Sequence, residues 1–94
     1  MSDERMVQMH EWLREVCAEL ALDPHVVEST AEQLLALVGQ VAHGPTRPGA
    51  PLTAFLVGLS AGAAGRELDT ATTARAVTER AEAVERLVAS RTAR

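Results

Sequence analysis

Four stretches of this chain carry apolar residues at every third or fourth position, and none carries them at every second. A helix brings residues three and four apart onto one face, whereas a half-buried strand needs strict alternation. The rhythm predicts an all-α fold: a compact four-helix domain with a Pro/Gly-rich loop between helices 2 and 3. Ninety-four residues make one domain, 1–94, with ends free to fray over 1–4 and 91–94.

The first helix is expected from about Asp3 to Leu20. Met6, Met9, Leu13, Val16, Cys17 and Leu20 share a face, Trp12 sits at its edge, and Glu11, Glu15 and Glu19 lie opposite. Ser2 or Asp3 caps it. Asp23-Pro24 is a start signal, an N-cap followed by a first-turn proline. The second helix then runs from Pro24 to about His43, where Gly44 stops it. Its apolar face covers half the wheel, which implies more than one neighbour, and a break near Ser29 would divide it. The third helix is expected from near Pro51 to near Gly65. After the connector Arg66-Glu67-Leu68-Asp69, a fourth runs from about Ala71 to Ser90, capped by Asp69 or Thr70.

Trp12 and Phe55 are the only aromatic residues, so the core must be built of Leu, Val and Ala. The third helix is apolar all round, which predicts a central position with Phe55, Leu56 and Leu59 buried. Phe55→Ala should then cost about 3–5 kcal/mol. Gly58 and Gly62, with Ala54 and Ala61, read as a close helix crossing. On the fourth helix Ala74, Val77, Ala81, Val84 and Val88 form a heptad-like stripe, beside the i,i+4 pairs Arg75–Glu79 and Glu82–Arg86. That stripe, with Met6, Met9 and Trp12 of the first helix, leaves apolar surface that predicts a homodimer. Met6, Met9 and Trp12 are the candidate interface residues, although core packing explains them equally well.

Charge excludes several functions. The net charge is −4, and the nine cationic residues are all Arg and spread along the chain, so no nucleic-acid footprint exists. One cysteine, Cys17, excludes an internal disulfide or a cysteine metal site, and fits a reducing, cytoplasmic setting. Met1-Ser2-Asp3-Glu4-Arg5 does not read as a secretory leader. Pro48 to Gly65 is uncharged over about 18 residues, the membrane-span threshold. It holds two prolines and four glycines, however, and only Leu52 to Leu59 is strongly apolar, so a buried helix is expected instead.

The connector from His43 to Thr53 is the best candidate for a ligand site. Arg47 can grip a carboxylate or phosphate through two hydrogen bonds, free N–H groups near Leu52 and Thr53 would add a positive helix end, and His43 can donate beside them. The plainer reading makes the prolines set the turn, His43 cap helix 2 and Arg47 bond exposed carbonyls. His10, His25 and His43 lack zinc-site spacing, so no metal is expected. His10 reads as a surface pair with Arg14, and His25 as solvated. Cys17 reads as a buried inert thiol, and Glu28/Glu32 and Glu79/Glu82 as solvated pairs. No phosphate-cradling glycine loop is present. The chain predicts no cofactor and no catalytic residues.

Trp12-Leu13, Val16-Cys17-Ala18-Glu19-Leu20, Leu34-Leu35, Ala42-His43-Gly44, Arg47-Pro48, Ala50-Pro51-Leu52-Thr53, Phe55-Leu56-Val57-Gly58-Leu59 and Ala61-Gly62 together resemble an actinobacterial domain of unknown function. That small helical domain occurs alone or attached to molybdenum-cofactor guanylyltransferases, which add GMP to molybdopterin. The resemblance covers roughly Trp12 to Gly65; Pro45 and Gly49 depart from its usual aliphatic and Ala positions. It implies a role near maturation of the molybdopterin guanine dinucleotide cofactor, with a guanylyltransferase or a molybdoenzyme as protein partner, and it implies no catalysis. The expected function is a non-enzymatic accessory or protein-interaction domain. The alternative is a small anionic-ligand binder using His43, Arg47 and Thr53. Neither nucleic acid nor membrane is an expected partner.

Overall fold

A computed structural model describes residues 3–64 and 69–92, which form α1 (Glu4–Leu20), α2 (Pro24–His43), α3 (Gly49–Ala64) and α4 (Thr70–Thr92). No strand occurs among the described residues. The expected cap at Ser2, the end of the third helix at Gly65 and the connector residues 66–68 lie outside them.

Local chemistry accounts for the boundaries. Asp3 Oδ1 accepts the Arg5 N–H at 2.9 Å and starts α1. Ala21 ends it in the left-handed region, at φ 58°, while the Leu22 N–H reaches back to the Cys17 carbonyl at 2.8 Å. Asp23 Oδ1 accepts the His25 N–H at 2.9 Å, and Pro24 occupies the first turn of α2, which runs unbroken through Ser29. Asp69 Oδ1 accepts the Thr72 N–H at 2.7 Å and caps α4.

α2 is the hub: it packs against α4, α3 and α1, and α3 also packs against α4. α1 rests on α2 alone among the described elements. Leu37 and Val41 of α2 meet Ala50, Val57 and Ala61 of α3 and Ala76, Val77 and Ala81 of α4. Leu37 is the one large side chain fully enclosed there among the described residues, so alanines set the spacing and the helices lie close.

Three expectations about packing are corrected. α3 is not a central helix buried on all sides. Ala50, Val57 and Ala61 face the core, whereas Leu52, Phe55, Leu56 and Leu59 are exposed by 64, 61, 59 and 56%. At ~100° per residue the two sets fall on opposite sides of the helix. Small residues allow the close approach to α2 and α4, and the large ones are left outside. Phe55 therefore is no core residue, and the large cost expected of Phe55→Ala does not apply. Gly58 and Gly62 are exposed too, with open space around the position a Cβ would take, so only the alanines make the close crossing. The α4 stripe is spent inside the chain: Val77 and Ala81 are buried, and Val84 and Val88 pack on the same core. It is not a free face for a second copy.

Candidate interaction surface

The outer face of α3 carries four large apolar side chains, each more than half exposed. It has no charged residue from Gly49 to Ala64. Residues 52, 55, 56 and 59 follow the i, i+3, i+4, i+7 spacing of a packing stripe. On one flank, Leu56 and the exposed Leu87 of α4 border a depression of about 370 Å³. There the Arg80 Nε–H donates to Ser60 Oγ at 2.8 Å and forms a polar rim. On the other flank Gly58 and Gly62 border a groove of about 390 Å³ whose far wall holds Cys17, Leu22, Val26 and Val27. Its mouth carries Asp23 and Thr70.

The candidate interface residues of α1 lie elsewhere. Trp12 is 61% exposed and Met6 is exposed, while Met9 is half-buried. Trp12, Val16 and Leu20 border a shallow depression with Glu15 and Glu19. α1 is tied to α2 by the Arg14 Nε–H, which donates to Glu28 Oε2 at 2.7 Å. Arg14 thus reaches across to α2 rather than pairing with His10, and Glu28 is half-buried rather than solvated. His10 Nδ1 is buried without a hydrogen-bond partner. His25 is exposed and its Nδ1 lies 2.9 Å from Asp23 Oδ1.

The connector between α2 and α3 is closed by its own hydrogen bonds. The His43 Nδ1–H donates to the Gly39 carbonyl at 2.7 Å, a contact that fixes this tautomer because a carbonyl can only accept. The Thr46 N–H donates to the Val41 carbonyl at 3.0 Å. α3 begins two residues earlier than Pro51, because the Gly49 N–H reaches Thr46 Oγ1 at 3.4 Å and the Ala50 N–H the Arg47 carbonyl at 3.2 Å. The Leu52 and Thr53 N–H groups are consequently inside the helix. Pro48 and Pro51 carry no N–H, so the start of α3 keeps no unspent donor. The Thr53 hydroxyl donates back to the Gly49 carbonyl at 2.9 Å. Arg47 is exposed, and no hydrogen bond joins any two of His43, Arg47 and Thr53 among the described residues.

Asp23 has the most perturbed carboxyl. The Thr70 hydroxyl, then the His25 N–H and ring, hold it down from 3.8 to about 2. Asp69 is lowered as well, chiefly by the Thr72 N–H. Both carboxylates are exposed helix caps rather than acid–base groups. Cys17 is buried. Among the described residues, no cluster of three or more His, Cys, Asp or Glu side chains is arranged to hold a metal. No helix among them is long and apolar enough to cross a membrane.

Sequence reasoning missed the outer face of α3 because it used overall apolarity. The usable signal was residue size: Ala50, Ala54, Val57 and Ala61 are small at helical spacing, and the large residues occupy the complementary positions.

No curated protein and no solved structure matches the chain. A family model does, over residues 4–94, which takes in all four helices. The chain therefore belongs to the family described as Domain of unknown function (DUF6457).

Proposed function

We propose that this domain is a non-enzymatic interaction module that docks through the outer face of α3. The observation that carries this reading is the outward placement of Leu52, Phe55, Leu56 and Leu59 on a helix without charge. A helix apolar on both sides is ordinarily enclosed by neighbours, and exposed patches of this kind mark binding surfaces. The sequence resemblance supports a molybdenum-cofactor guanylyltransferase or a molybdoenzyme as the assembly in which the domain works. The test is a titration of each purified enzyme with the domain, followed by calorimetry. Binding lost in Leu56→Glu, with a melting temperature unchanged in dilute solution, is the expected result. Equal binding by that variant removes α3 from the reading, and no binding to either enzyme removes the cofactor link.

The second reading, an anion-binding loop, has the exposed Arg47 guanidinium in its favour and the spent N–H groups of α3 against it. Phosphate or a carboxylate would engage Arg47, with Thr53 at the edge; the His43 Nδ1–H is spent on Gly39, so Nε2 of the neutral ring only accepts and would meet an anion only in the imidazolium form. Phosphate titration followed by calorimetry, with Arg47→Ala as control, tests it.

A further inference from the structure

We infer that, in the free domain, a second copy of this chain covers the outer face of α3, with the two α3 helices antiparallel about a two-fold axis. This rests on the reading of α3 as the docking surface and names its occupant. Three observations carry it.

The first is shape. Three of the four bulky residues, Leu52, Phe55 and Leu56, stand in the N-terminal half of the face, whereas the C-terminal half holds Leu59 alone among Gly58, Gly62 and Ala63. Gly58 and Gly62 have nothing within 4 Å of the position a Cβ would take. Residues 55, 58, 59 and 62 form the four-cornered hole into which a knob from a facing helix inserts, and glycine at two corners makes it deep. An antiparallel two-fold lays the knobs of each copy over the holes of the other, which is the self-complementarity such an interface requires. A parallel pairing sets knobs against knobs.

The second is charge. The whole chain carries −4, so two copies repel at most orientations. α3 has no charged residue and is the one helix on which two copies meet without like-charge opposition. The third is area. Leu22 and Leu87 extend the stripe on its two flanks, giving six large side chains that are each more than half exposed. At ~100 Å² apiece they supply ~600 Å² per partner, the low end of the range for specific interfaces. A dimer of micromolar strength is expected rather than a permanent one.

Sedimentation equilibrium of the full chain, from about 10 µM to about 1 mM, tests this. The expected mass rises with concentration from 10.0 kDa towards twice that value. Leu56→Glu and Leu59→Glu are expected to stay monomeric throughout, with helical content unchanged. Gly62→Leu, whose Cβ meets nothing within 4 Å in the monomer, is expected to weaken the dimer at least tenfold by filling the hole. A wild-type monomer at 1 mM overturns the inference; the proposed function then stands or falls separately on whether Leu56→Glu loses the partner enzyme. A dimer unaffected by Leu56→Glu and Leu59→Glu overturns it too. So does a wild-type monomer that sediments with phosphatidylglycerol vesicles, since α3 would then cover itself with lipid.

Discussion

Thr70, the first residue of α4, donates its hydroxyl hydrogen bond to Asp23, the residue that caps α2. One carboxylate thus ties together the starts of two helices separated by 47 positions in sequence. Oδ1 serves the His25 N–H and Oδ2 serves Thr70, so both oxygens are committed.

This geometry sets a pH dependence. The carboxyl of Asp23 is held at about 2 in the fold against 3.8 ordinarily. Below the ordinary value the unfolded chain takes up the proton first, so the contribution is complete above about pH 5 and is lost as pH falls towards 2. Melting temperatures measured from pH 6 to pH 2 should decline on the acid side, and less steeply in Asp23→Asn. Equal acid slopes in the two proteins would contradict the assignment.

The core and the outer face should separate cleanly in a pair of alanine variants. Leu37 is fully enclosed, and Leu37→Ala should cost about 2–5 kcal/mol. Phe55→Ala, measured on dilute monomer, should cost within about 1 kcal/mol, because the ring is mostly in water already. Urea denaturation of both variants reads the difference directly.

Ala21 occupies a left-handed conformation that glycine adopts without strain. Ala21→Gly should stabilise by about 0.5–1 kcal/mol after the extra chain entropy of glycine is subtracted. A rise of a few degrees in a circular dichroism melt is the expected outcome.

Gly49 has the opposite sensitivity. A Cβ there would collide with the Thr46 methyl group, whose hydroxyl accepts the Gly49 N–H. Turning Thr46 aside would lose that cap, so Gly49→Ala should cost about 1 kcal/mol. In Thr46→Val, which already lacks the hydroxyl, the added cost should shrink, and a double-mutant cycle measures the coupling.

Arg47 contributes its carbonyl to the start of α3, while its side chain is exposed. Arg47→Ala should therefore leave stability within about 0.5 kcal/mol. Phosphate affinity measured on the same protein distinguishes a binding loop from a turn. A loss of stability well beyond that range would mean the guanidinium bonds nearby carbonyls.

The helices were legible because their ends carry explicit chemistry. Asp23-Pro24 marks the start of α2 and Gly44 its end, and Asp69 marks the start of α4. The start of α3 was harder, because its signal is Thr46 capping Gly49 across two intervening residues, which the prolines on either side obscure. The orientation of α3 was illegible to a reading based on hydrophobicity, since a helix apolar all round has no preferred side. Side-chain volume breaks that degeneracy, as Ala61 and Leu59 show on opposite faces. For the candidate site, the sequence exposed Trp12 as an edge residue, yet assigned Phe55 to the interior. The ion pair joining α1 to α2, Arg14–Glu28, spans 14 positions and has no local signature.

Trp12 is the only tryptophan, there is no tyrosine, and α1, on which Trp12 sits, leans on α2 alone among the described elements. Indole fluorescence in this protein is thus a gauge of one peripheral helix. A fluorescence-detected transition can precede the loss of ellipticity from the α2–α3–α4 core, so the two optical signals together resolve the release of α1 from the collapse of everything it leans on.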